Sequence, residues 1–147
     1  MKEPIHILLA DDDESDRLLF VEALVCVKTP TIVNAVDNGT ELMNYLNMAS
    51  TILPDILFLD LNMPRKNGIE CLKEMKDSKK LNAIFIAIFS TSASPTDIVE
   101  TFIGGAIVYV KKPNNFELLI AVVKKAIAIA GKHEKLFSDR SNFLLRV

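Results

Sequence analysis

Cysteine is scarce in this 147-residue sequence, which contains only Cys26 and Cys71. Two cysteines so far apart cannot form the disulfide framework of a small secreted protein or supply the ligands of a zinc site. We therefore expect two buried thiols in the reducing cytoplasm. No apolar run reaches the about 18 residues of a membrane-spanning helix, and the first apolar stretch meets acidic residues too early for a signal peptide. These absences argue against secretion and against a membrane protein.

Neither sign of charge predominates. The sequence has 17 Lys and Arg against 19 Asp and Glu, a net charge of −2. Such a balance lacks the basic surface that non-specific nucleic-acid binding requires, so we expect no nucleic-acid partner. Half of the residues are hydrophobic and 24% are charged, which is typical of a folded chain. The length predicts a single domain.

Short apolar strands alternate with helices along the sequence. The predicted strands cover residues 5–10, 31–36, 55–59, 83–89 and 107–110. Each is followed by a predicted helix, with caps or first residues at Asp13, Thr40, Gly68, Ser94 and Asn114. On the third helix, Ile69, Leu72 and Met75 fall on one face. Five strand–helix units with apolar strands are typical of an α/β fold whose parallel sheet is covered by helices on both faces.

Chemically active side chains follow the ends of several predicted strands. They are Asp11, Asp12 and Asp13 after the first strand, Asp60 and Asn62 after the third, Ser90 after the fourth, and Lys112 after the fifth. Ligands of open α/β sheets bind beyond the carboxyl ends of the strands. We therefore expect these groups to share one edge of the sheet.

The chemistry of this set favours phosphoryl transfer. Carboxylates from two strand ends repel each other unless a cation lies between them, and hard oxygen ligands suit Mg²⁺. The Lys112 ammonium and the Ser90 hydroxyl are suited to hold phosphoryl oxygens. No His or Cys lies near these positions to act as a base, but an ionised carboxylate needs none. Asp60 is therefore the candidate nucleophile.

Taken in order, these segments resemble the receiver domains of bacterial two-component response regulators. The resemblance runs from about residue 5 to about residue 131. The matching segments are residues 7–13, 35–42, 55–64, 67–68, 90–91 and 105–113. Each is weak alone, but together they follow the order and the spacing of the family.

The resemblance implies a doubly wound, five-stranded parallel sheet of order 2-1-3-4-5, the flavodoxin-like receiver fold. It implies that Asp60 accepts a phosphoryl group from a sensor histidine kinase or a phosphotransfer protein in the cytoplasm. Such a domain is not a conventional enzyme, although it catalyses its own phosphorylation and dephosphorylation. The implied Mg²⁺ ligands are Asp11, Asp12, Asp60 and the backbone carbonyl of Asn62. Lys112 resembles the invariant lysine of the family, and Ser90 and Tyr109 resemble its switch pair, with Tyr109 expected to turn inward as Ser90 moves.

Two features near the site depart from the family pattern or add to it. Thr91 stands where the family usually has Ala or Gly, and its bulk is expected to slow dephosphorylation. Arg65 and Lys66 form a basic loop that either is solvated or steers an anionic donor or partner.

The last 16 residues predict a tail rather than a second domain. We expect a receiver domain over residues 5–131 and a tail over 132–147 with no output domain, as in stand-alone regulators associated with phytochromes. The tail is apolar, so it is expected either to dock on the domain or to form a homodimer contact.

Three alternatives remain open from the sequence alone. Asp11 and Asp13 have the spacing of a haloacid dehalogenase-type phosphatase, although the later acidic motif is missing. A flavodoxin-like cofactor binder is a second alternative, disfavoured because three aspartates would repel a phosphate. A degenerate receiver that only binds other proteins is the third.

Overall fold

The computed structural model describes residues 4–132 and 142–146. Over these residues five strands and five helices alternate: β1 Ile5–Ala10, α1 Glu14–Val27, β2 Thr31–Val36, α2 Gly39–Asn47, β3 Ile56–Leu59, α3 Gly68–Lys76, β4 Phe85–Ser90, α4 Pro95–Ile103, β5 Val108–Lys111 and α5 Phe116–Lys132. The strands form one parallel sheet in the order β2-β1-β3-β4-β5. The predicted fold class is confirmed.

The sheet is apolar on both faces because each face packs against helices. Alternate residues of β1 point to opposite sides, so that Leu8 lies in one core and Leu9 in the other. The first core contains buried side chains of α2 and α3, and the second contains those of α1 and α5. This layering holds the carboxyl ends of β1, β3, β4 and β5 at one edge.

The structure corrects several details of the sequence interpretation. Cys26 is exposed rather than buried, because it lies off the stripe of α1 that faces the sheet, whereas Cys71 is buried as expected. α5 is capped by Asn115, whose side chain accepts the Leu118 N–H at 3.1 Å, and not by Asn114. β3 and β4 begin one and two residues later than predicted, and β4 continues to Ser90.

Part of the tail packs along the free edge of β5. The Tyr109 N–H donates to the Phe143 carbonyl at 2.7 Å, and the Leu145 N–H donates to the Tyr109 carbonyl at 2.9 Å. The Phe143 ring is buried, with its centroid 5.3 Å from that of Phe102 and 6.0 Å from that of Tyr109. Residues 142–146 therefore dock on the domain, which was one of the two alternatives expected for the tail. Residues 133–141 and 147 lie outside the described residues.

No helix within the described ranges combines the length and the apolar character that crossing a membrane requires.

Candidate functional site

Three acidic side chains meet where β1 and β3 end. In the parallel register Ala10 is paired with Leu59, so the residues that follow, Asp11 and Asp60, emerge side by side. The Asp60 N–H donates to the Ala10 carbonyl at 2.9 Å, which continues the strand pairing by one step. Asp11, Asp12 and Asp60 each offer a carboxylate oxygen, and these oxygens all lie within 4.8 Å of one another. The predicted convergence of these strand ends is therefore present.

Lys112 provides the positive charge of the site. The backbone N–H of Lys112 donates to the Ser90 carbonyl at 2.8 Å, which fixes the Lys112 backbone beside the end of β4. The Lys112 ammonium lies 2.7 Å from Asp11 Oδ2 and 3.2 Å from Asp60 Oδ2, and 5.4 Å from the centroid of the Phe89 ring. Burial by itself lowers the pKa of Lys112, but the surrounding carboxylates outweigh it and the pKa is raised. The ammonium is therefore charged at any physiological pH.

Asp11 is the most deeply buried acid of the cluster. Its burial raises its pKa to about 6, although Lys112 and the Asp13 N–H both favour the charged form. Asp11 Oδ1 accepts the Asp13 N–H at 3.0 Å. Asp11 Oδ2 has the Lys112 ammonium as a charged neighbour, but no donor of the described residues is aligned with it in a hydrogen bond. Three carboxylates that converge beside a single ammonium fit a hard divalent cation such as Mg²⁺.

The loop after β3 is held close to Asp60. The Asn62 N–H donates to Asp60 Oδ1 at 3.1 Å, so the backbone of this residue lies beside the carboxylate. The loop packs against the start of α2, where a Cβ on Gly39 would lie 1.9 Å from the Lys66 carbonyl oxygen. Only glycine therefore permits this approach. Lys66 pairs with Glu74 of α3 at the surface, and Arg65 is exposed.

Ser90 ends β4 and is fully buried. Its hydroxyl oxygen accepts the Ser92 N–H at 3.3 Å, and the Ser92 carbonyl accepts the Tyr109 hydroxyl at 2.5 Å. Ser92 therefore links the predicted switch pair. Thr91, between the two serines, is exposed.

The Tyr109 ring is already buried in this structure. The switch hypothesis supposed that the ring turns inward only as Ser90 moves, so this conformation differs from the expectation. The reason is packing: Phe143 lies against one side of the ring, and the Ser92 carbonyl accepts the hydroxyl. Burial also raises the pKa of Tyr109 to about 12, which keeps the hydroxyl protonated as a donor.

Asp16 is a residue of the site that the sequence interpretation missed. Its carboxylate lies 2.8 Å from the Lys112 ammonium, although the two residues are 96 positions apart. In the sequence it looked like an ordinary first-turn acid that favours the start of α1. The contact between Asp16 and Lys112 could have been predicted only from knowledge that the end of β5 lies beside the start of α1. Asp13, in contrast, acts as predicted, because its side chain accepts the Asp16 N–H at 2.9 Å and caps α1.

A doubly wound parallel sheet with acids beyond β1 and β3, a hydroxyl at the end of β4 and a lysine beyond β5 defines the receiver class of signalling domains. This chain belongs to the response regulator receiver domain family, whose model matches residues 7–124. It is therefore a receiver domain of two-component systems. This membership decides against the phosphatase and the flavin-binding alternatives.

Regulators associated with phytochromes are among the similar proteins. The response regulator Rcp1 of Synechocystis sp. is 30% identical over 128 residues, which cover 82% of this chain and 85% of Rcp1. The crystal structure of the phosphorylated cyanobacterial phytochrome response regulator RcpA has a TM-score of 0.80 at 33% identity, and the match covers 86% of this chain and 94% of RcpA. The Mn²⁺-bound form of Rcp1 has a TM-score of 0.76 at 27% identity, with 83% and 91% covered.

Proposed function

We propose that this chain is a phosphoacceptor response regulator in which Asp60 takes the phosphoryl group. The observation that carries the proposal is the placement of this carboxylate, which is 5% exposed and lies 3.2 Å from the Lys112 ammonium within the acidic cluster. An ionised carboxylate is a nucleophile that needs no general base. The crystallised phosphorylated form of RcpA supports the same chemistry here.

The donor is proposed to be a phosphohistidine of a sensor histidine kinase or of a phosphotransfer protein. An oxygen of Asp60 forms a bond to phosphorus while the P–N bond of the donor breaks. The electron pair of that bond leaves with the imidazole, which takes up a proton. Lys112 pairs with a phosphoryl oxygen, and the Ser90 hydroxyl donates to another, so both groups stabilise charge that was absent before the transfer.

Mg²⁺ is the proposed metal, held by Asp11, Asp12, Asp60 and the backbone carbonyl of Asn62. The convergence of three carboxylates, whose oxygens lie within 4.8 Å of one another, supports this assignment. The Mn²⁺-bound form of Rcp1 supports it as well, since Mn²⁺ takes similar oxygen ligands. When bound, the ion neutralises negative charge on the phosphoryl oxygens.

Ser90 and Tyr109 are the proposed switch pair. A phosphoryl group on Asp60 would draw the Ser90 hydroxyl toward it and away from the Ser92 N–H. Because the Ser92 carbonyl accepts the Tyr109 hydroxyl, the loop between β4 and α4 transmits this movement to Tyr109. The face formed by α4, β5 and α5 then changes its shape, as expected for a bistable packing arrangement.

The receiver domain is proposed to span residues 5–131, with 132–147 as its tail. A homodimer contact through the tail stays a prediction, which solution scattering tests directly.

Incubation with acetyl phosphate and Mg²⁺, followed by intact-mass measurement, tests the phosphoacceptor. The wild-type protein is expected to gain one phosphoryl group, and the gain is expected to need Mg²⁺. The Asp60→Asn variant should gain none, whereas Asp77→Asn, which changes an exposed aspartate at the end of α3, should react like the wild type. An adduct of equal yield on Asp60→Asn would refute the assignment of Asp60. No adduct on the wild type would favour the degenerate receiver.

A further inference from the structure

The start of α1 brings a third carboxylate to Lys112, beside those of Asp11 and Asp60. Asp16 Oδ2 lies 2.8 Å from the ammonium, closer than Asp60 Oδ2 at 3.2 Å. The Asp16 side chain is 32% exposed, whereas that of Lys112 is 9% exposed. Asp16 is not part of the group of acids that could share a metal ion among the described residues, which consists of Asp11, Asp12 and Asp60. Its contact with the site is therefore through the ammonium.

The local hydrogen bonds explain why Asp16 is free to reach Lys112. Asp16 is the third residue of α1, where an acidic side chain commonly turns back to accept the N–H of the capping residue. Here that N–H, of Asp13, donates to Asp11 Oδ1 at 3.0 Å instead. The Asp16 N–H meanwhile donates to the Asp13 side chain, which fixes the backbone. The Asp16 carboxylate is thus anchored on a rigid helix start and directed away from its own backbone.

We infer that Asp16 is a positioning residue that holds the Lys112 ammonium toward α1 and competes for it with a phosphoryl group on Asp60. This inference rests on the proposed function of Asp60. Lys112 has three carboxylates within 3.2 Å, so removal of one leaves it paired with the other two. The Asp16 charge also repels an incoming phosphoryl dianion. Both effects act in the same direction, because each makes binding of the phosphoryl group at the site less favourable while the Asp16 carboxylate is present.

Asp16→Asn keeps the shape of the side chain and removes its charge. In the presence of Mg²⁺ this variant is expected to bind the phosphoryl mimic beryllium fluoride about two- to fivefold more tightly than the wild type, the range typical of a partly exposed ion pair. Titration followed by ¹⁹F NMR measures the affinity, and intact mass measures the rate of phosphorylation by acetyl phosphate, which should rise similarly. The gain should shrink in 0.5 M KCl because salt screens the exposed carboxylate. Loss of structure would lower both quantities, so a gain is diagnostic.

Two further variants separate this effect from general changes in charge. Glu14→Gln removes an exposed acid from the same first turn of α1 and should leave the affinity at the wild-type value. Asp16→Glu keeps the charge and should behave like the wild type. Equal or weaker binding by Asp16→Asn, or an equal gain in Glu14→Gln, would overturn the inference while leaving the phosphoacceptor assignment intact. Absence of mimic binding and of an adduct on the wild type would instead refute the proposed function and the inference with it.

Discussion

Phe143 is expected to stabilise the whole domain, although it lies in the tail. Its ring is buried against Phe102 and Tyr109 in the same core as side chains of α2 and α3. Replacement of a buried Phe by Ala removes apolar contacts and leaves a cavity, at a cost of about 3–5 kcal/mol. For a domain of this size each kcal/mol lowers Tm by about 3 °C, so Phe143→Ala should lower it by about 9–15 °C.

The loss has an upper limit, because the tail segment can detach as a unit. If residues 142–146 leave the edge of β5, the variant loses no more than the free energy with which that segment docks. Urea denaturation should therefore compare Phe143→Ala with a chain that ends at residue 141, and the truncated chain should be the less stable of the two. Phe116→Ala makes the same chemical change at a side chain that is 38% exposed, and it should cost less than about 1 kcal/mol.

Amide exchange adds a second measurement of the same docking. The Tyr109 N–H donates to the Phe143 carbonyl, so its exchange should quicken in Phe143→Ala more than in Phe116→Ala. A loss of stability below 1 kcal/mol in Phe143→Ala, with unchanged exchange at Tyr109, would refute the reasoning that the ring is part of the core.

Three further predictions concern the close approach at Gly39, the protonation of Asp11 and the burial of the two cysteines. Gly39→Ala should cost about 1–3 kcal/mol in urea denaturation, because the new Cβ would meet the Lys66 carbonyl at 1.9 Å; unchanged stability would contradict this close approach. In EDTA, Asp11 should contribute a fall in the free energy of unfolding as the pH rises from about 4 to about 6. The folded protein binds the Asp11 proton (pKa about 6) more tightly than the unfolded chain does (pKa near 3.8). Subtraction of the Asp11→Asn profile isolates this contribution, and identical pH profiles of the two proteins would contradict it. A thiol reagent should modify one cysteine rapidly in the native protein and two in denaturant. The reason is that Cys26 is exposed, while burial raises the pKa of Cys71 to about 12. Rapid modification of both cysteines in the native protein would contradict the burial of Cys71.

The sequence was sufficient to place the main residues of the site. Each of Asp11, Asp60 and Lys112 directly follows an apolar strand, and parallel strands bring such positions to one edge whatever the details of the packing. The strand order, in contrast, came from the family resemblance, since a single sequence does not encode which strands are neighbours. The role of Asp16 was not accessible for the same reason, because it depends on where the end of β5 lies relative to α1.

α1 illustrates why burial was harder to predict than secondary structure. From Leu18 to Val27 every residue of the helix except Glu22 is apolar, so hydrophobic periodicity does not define its inner face. In the structure Leu18 is 60% exposed and Val25 is 78% exposed, while Phe20 and Ala23 are fully buried. The error on Cys26 is of this kind, because the expectation of a buried thiol came from the usual burial of free cysteines and not from the position of Cys26 on the helix.

The tail could be recognised as apolar, but its binding place depended on a surface that only the folded domain creates. The edge of β5 offers unpaired backbone groups, and a strand edge of this kind commonly attracts further backbone pairing. Tyr109 connects this edge to the site, because its backbone pairs with the tail while its hydroxyl donates to the Ser92 carbonyl. The cluster of acids around one ammonium is costly for folding, whereas Phe143 completes a well-packed core nearby. A functional site of this kind keeps unfavourable charge where chemistry needs it, and ordinary packing elsewhere in the domain offsets the cost.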